Sequence, residues 1–62
     1  MLKKFQKVEI YEDPITRTKL ENKAMLLKYI QNCGSFNGKK LQEWYVMFDG
    51  ETEKHRRVIL ED

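Results

Sequence analysis

Apolar side chains fall in four runs along the chain, Phe5 to Tyr11, Ala24 to Ile30, Leu41 to Phe48 and His55 to Leu60, parted by stretches that carry Asp, Asn, Gly and Pro. The third run alternates. Trp44, Val46 and Phe48 share one parity, Tyr45 and Met47 the other, and these residue types suit a pleated surface. Asp49-Gly50 follows, a dipeptide that supplies the positive φ of a tight hairpin turn, so the run from Thr52 to Leu60 is predicted to return antiparallel. In the first run Val8 and Ile10 alternate with Lys7, Glu9 and Tyr11, as in a short, half-buried strand. Pro14 stops it, because proline has no N–H to donate and drives Asp13 toward extended geometry. Glu12-Asp13-Pro14 then opens a loop that Ile15 to Glu21 continues across the surface.

The second run supports two readings. Thr18 and Glu21 have the spacing of a capping box, Leu20, Ala24, Leu27 and Ile30 lie near one helical stripe, and Gly34 stands where a helix could end. That pattern predicts a helix from Lys19 to Asn32. With Asn22 in the left-handed conformation of a turn, the same residues instead give a buried central strand from Ala24 to Ile30, apolar on both faces. Periodicity alone favours the helix. Gly34-Ser35-Phe36-Asn37-Gly38 reads as an exposed connection, in which Phe36 either folds back onto the core or serves as an anchor for a partner.

Length narrows the ways in which these elements can hold together. A single domain of 62 residues buries only about 60% of the surface of its unfolded chain. Cys33 is the sole cysteine and His55 the sole histidine, so an intrachain disulfide is excluded and a Cys/His zinc site lacks ligands. Packed side chains or self-association must supply stability, and a homo-oligomer stays open. Met1-Leu2-Lys3-Lys4 opens like a signal peptide, but Gln6, Lys7 and Glu9 interrupt any apolar core that would follow. Nothing approaches the run of about 18 apolar residues that spans a bilayer. A cytoplasmic protein with an ordinary Cys33 thiol and no membrane partner is the expectation.

The segment from Val8 to Arg17, V-E-I-Y-E-D-P-I-T-R, followed by Leu20-Glu21-Asn22-Lys23-Ala24, resembles the opening of a group of short phage and prophage proteins of unknown function. The likeness spans most of the chain and implies a strand ending in Asp-Pro, a loop to a Leu-Glu-Gly-Lys-Ala-type turn, a second strand, a Trp-centred strand and a last strand. The order is similar to that of SH3-like, Tudor-like and KOW-type small barrels. Asn22 stands where the pattern has glycine, a departure asparagine tolerates because it adopts positive φ more readily than most residues. The resemblance turns the balance at Ala24 to Ile30 from helix to strand. A mainly β fold is therefore expected, a small antiparallel SH3-like barrel of four or five strands. The alternative is an α+β fold, a three-stranded sheet with one helix at about residues 19 to 32.

Chemistry is sparse. His55 sits in Glu53-Lys54-His55-Arg56-Arg57 among cations, and the carboxylate pairs Glu12-Asp13 and Glu61-Asp62 fall at a loop and a terminus. Gly34, Gly38 and Gly50 match no phosphate-binding spacing, and Asp49-Gly50-Glu51 is too short for a calcium loop. No enzyme, cofactor or metal is expected. A formal charge of +2, from 12 basic and 10 acidic residues of mixed order, gives a mildly basic surface. Lys39, Lys40, Lys54, Arg56 and Arg57 form a candidate nucleic-acid surface, with Lys3, Lys4 and Lys7 as further cations and Tyr45 or Tyr11 as stacking faces, although Glu43, Glu51 and Glu53 oppose the field. The favoured reading is a phage-type accessory protein that binds a host or phage protein through exposed aromatics, with Tyr11, Phe36 and Tyr45 as candidate contacts.

Overall fold

The parity of Trp44, Val46 and Phe48 decides which side of the sheet becomes the interior. In the computed structural model, which describes residues 1–61, strands β1 (Lys7–Asp13), β2 (Thr18–Phe36), β3 (Lys39–Phe48) and β4 (Lys54–Leu60) form one antiparallel sheet in the order β1-β2-β3-β4. Asp62, half of the terminal carboxylate pair, lies outside those residues. Ile10 of β1, Ala24 and Leu26 of β2, Trp44, Val46 and Phe48 of β3 and Ile59 of β4 join a single apolar cluster, with Leu2 and Val8 packed against it. Because Ile10 and Ile59 come from the two outer strands, the sheet must curl to bring them together. The result is half of a small barrel. Ile10, Leu26 and Val46 are completely buried, each stabilising the fold by about 1.5–3 kcal/mol.

The helix alternative at residues 19 to 32 is excluded, since this whole stretch belongs to β2. Its cause is visible in the pairing. β2 takes in extra residues between Leu26 and Lys28, between Tyr29 and Gln31, and between Asn32 and Ser35, so that pairs of β3-bonded residues alternate with bulges. Leu27, Ile30 and Cys33 therefore recur every third residue, and a period of three imitates the apolar stripe of a helix. Bulges also sharpen local twist. They let one strand of 19 residues bend around the core.

Turns differ from expectation in three places. Thr18 to Glu21 is strand and not loop, and Asn22 pairs with Ile10 instead of turning. The reversal is confined to residues 14 to 17, where Asp13 Oδ1 accepts the Ile15 and Thr16 N–H groups, the Arg17 N–H donates to the Asp13 carbonyl, and Arg17 takes a φ of 55°. Between β2 and β3, the expected connection of Gly34 to Gly38 shrinks to Asn37-Gly38, with φ values of 50° and 76°, the signature of a type I′ hairpin. The Asp49-Gly50 hairpin is present, but β4 resumes only at Lys54: the Glu51 N–H closes a turn on the Phe48 carbonyl and Gly50 supplies its positive φ of 80°.

Candidate functional site

Strand order leaves one flank of β1 and one flank of β4 without a hydrogen-bonded neighbour among the described residues. The two flanks face each other across the unclosed side of the half-barrel. Between them lies a groove of about 270 Å³, walled by Val8, Ile10, Tyr11 and Pro14 on one side and by Val58, Ile59 and Leu60 on the other. Tyr11, Pro14 and Val58 also line a second, wider depression toward Glu21, Arg56 and Arg57, so the seam continues along both strands. The groove itself, at about 270 Å³, falls below the range of about 300–1,000 Å³ usual for small-molecule pockets.

Both ends of the seam are tied. At one end the Leu2 N–H donates to Glu61 Oε2 at 2.6 Å and the N-terminal ammonium lies 3.4 Å from the same oxygen. The Leu2 N–H holds the Glu61 carboxyl below its ordinary value, and the ammonium assists. Leu2 thereby reaches the apolar cluster, while Phe5, at a φ of 70°, donates its N–H to the Leu26 carbonyl. At the other end Arg57 spans from β4 to β2, its Nε 2.9 Å from Glu21 Oε1 and its second nitrogen 3.0 Å from Glu21 Oε2. Glu21 is the extra residue of a bulge opposite Ile10 and Tyr11, which frees it from the ladder. This paired geometry lowers the pKa of Glu21 and raises that of Arg57. Arg57 also lies 5.3 Å from the Phe48 ring, covering the edge of the core.

Of the aromatic candidates, only Tyr11 lies in the seam, half-buried, its hydroxyl 3.5 Å from Glu9 Oε1. Phe36 stands at the tip of the β2–β3 hairpin and is 43% exposed, so it does not fold back onto the core. Tyr45 occupies the outer face, where the Lys54 ammonium sits 4.5 Å from its ring. The three do not form one surface. Trp44 is buried, donating its indole N–H to Gln42 Oε1 at 3.0 Å, with Tyr29 edge-on at 5.7 Å.

Of the basic candidates, Lys54 and Arg56 share the outer face of β4 and the others lie apart from them. Lys39 and Lys40 belong to the hairpin arm, roughly 17–20 Å along β3 from the residue opposite Arg56 at about 3.3 Å per residue. Arg56 is held by both Glu43 oxygens, at 3.1 and 3.2 Å, which raises its pKa and, with help from Gln31, lowers that of Glu43. His55 meets Glu51 Oε1 at 2.9 Å and packs edge-on against Phe48. Sequence reasoning missed Val58 as a site residue: it is an ordinary apolar position in its run, and no residue type announces that a strand will lack a neighbour. Among the described residues, no helix is long and apolar enough to cross a membrane. Compared with protein-family models, with curated proteins and with solved structures, the chain finds no match in any of the three.

Proposed function

We propose that this chain is an interaction module that captures an extended segment of a partner protein as a fifth strand between β1 and β4. The single observation that carries the reading is the seam: two antiparallel strand flanks lacking neighbours among the described residues, with a groove of mixed polar and apolar lining between them. Added strands bind through main-chain hydrogen bonds and gain specificity from pockets for alternate side chains. Tyr11 and Val58, which line both halves of the groove, supply those pockets. The resemblance of Val8 to Ala24 to short phage proteins supports an accessory role in a phage or prophage, with a host or phage protein as partner. The lone unpaired Cys33 suits the reducing cytoplasm.

The test is affinity capture from a phage-infected lysate with wild type, Val58→Asp and Tyr45→Ala, each checked for an unchanged fold by near-ultraviolet circular dichroism. The expected result is a protein retained by wild type and by Tyr45→Ala but lost with Val58→Asp. Retention by Val58→Asp together with loss by Tyr45→Ala moves the site to the outer face and rejects the seam.

A further inference from the structure

The outer face of the sheet carries a second pattern, independent of the seam. Register places Lys7, Met25, Met47 and Lys54 in one row across all four strands, and Lys28, Tyr45 and Arg56 in the row beside it. Met25 lies between the buried Ala24 and Leu26, and Tyr45 and Met47 alternate with the buried Trp44, Val46 and Phe48, so these rows face away from the core. Three apolar side chains thus form a block bounded by cations on either side. Met25 is 37% exposed, whereas Tyr45 and Met47 are half-buried.

Charge along this border is unevenly compensated. Lys7 pairs with Asp49 and Arg56 with Glu43. Lys28 and Lys54 have no carboxylate within ion-pair distance among the described residues, and Lys54 rests on the Tyr45 ring instead. An unbranched thioether adapts to varied apolar surfaces, which is why methionine recurs at binding surfaces. From this arrangement we infer that the outer face docks an acidic, amphipathic protein segment. Its apolar side chains lie on Met25, Met47 and Tyr45, and its carboxylates meet Lys28 and Lys54. A nucleic acid fits less well, because the Tyr45 ring on which a base would stack already holds Lys54, and in these two rows Lys7 and Arg56 are already matched by carboxylates.

The test is fluorescence anisotropy with a labelled synthetic peptide of alternating Glu-Glu-Leu units, a labelled oligothymidylate, and three proteins: wild type, Lys28→Glu/Lys54→Glu, and Lys3→Glu/Lys19→Glu, which changes net charge equally off this face. The peptide is expected to bind wild type and the second double variant alike, to lose about tenfold in affinity with the first, and to weaken as salt rises. A peptide in which serine replaces leucine is expected not to bind. Equal loss with both double variants reduces the effect to net charge and overturns the inference. Tighter binding of the oligothymidylate, or no binding of the leucine peptide at low salt, overturns it too.

Discussion

β2 and β3 run side by side for most of their length, yet the two halves of this hairpin are held by different forces. Toward the body, Ala24 to Leu26 and Trp44 to Phe48 lie between β1 and β4 and contribute five members of the apolar cluster. Toward the tip, every residue from Gln31 to Lys40 is exposed, and beyond Asn32 the arm is a two-stranded ladder with a bulge at Cys33 and Gly34. Each half keeps paired backbones, but a net hydrogen bond contributes only about 0.5–1.5 kcal/mol and a lone two-stranded hairpin is marginal in water. Burial separates the halves. The arm stays ordered because it grows out of a packed sheet, with the Glu61 N–H tying the Lys40 carbonyl at its base.

The largest effect that tests this contrast is a truncation in each half. Leu26→Ala, at a completely buried site, is expected to cost about 3 kcal/mol, seen as a fall in the urea midpoint, whereas Phe36→Ala should stay within about 0.5 kcal/mol. Comparable losses would make the arm part of the cooperative unit. A smaller effect comes from Gly38→Ala, which places a Cβ at a φ of 76° in otherwise open space. It should destabilise the turn by about 1 kcal/mol, raising amide exchange from Gln31 to Lys40 while leaving the protection of Val46 unchanged. The smallest concerns Glu61, whose carboxyl pKa is lowered in the fold. A depressed carboxylate stabilises the fold above its unfolded value and loses that contribution as pH falls through the folded one. Acid titration followed by NMR should move the Leu2 amide with a midpoint below the unfolded value and leave the Phe36 amide in place.

Much of the body is legible in the sequence. The alternation from Trp44 to Phe48 and the pair Val8 and Ile10 name most of the inward face, since a strand's parity maps directly onto burial. β2 is harder to read, because its bulges replace a period of two with one near three, and that change belongs to the pairing with β3 and not to β2 alone. The Asn37-Gly38 turn carries the strongest hairpin dipeptide and is obscured by Gly34 and Ser35, which resemble loop residues but fill a bulged strand. The ion partners of Arg56 and Arg57 lie 13 and 36 residues away and depend on register. The seam was illegible for a deeper reason: it exists because two strands distant in sequence fail to meet.

The interrupted ladder of β2 has a consequence for self-assembly. Beyond Leu26 its free flank offers a would-be templating chain no more than two regular residues before the spacing breaks, so edge-to-edge growth toward fibrils is frustrated there. β4 pairs with β3 without one shift, and its open flank keeps a regular spacing from Lys54 to Leu60. Irregularity on one side of the sheet thus steers any recruited strand to the other.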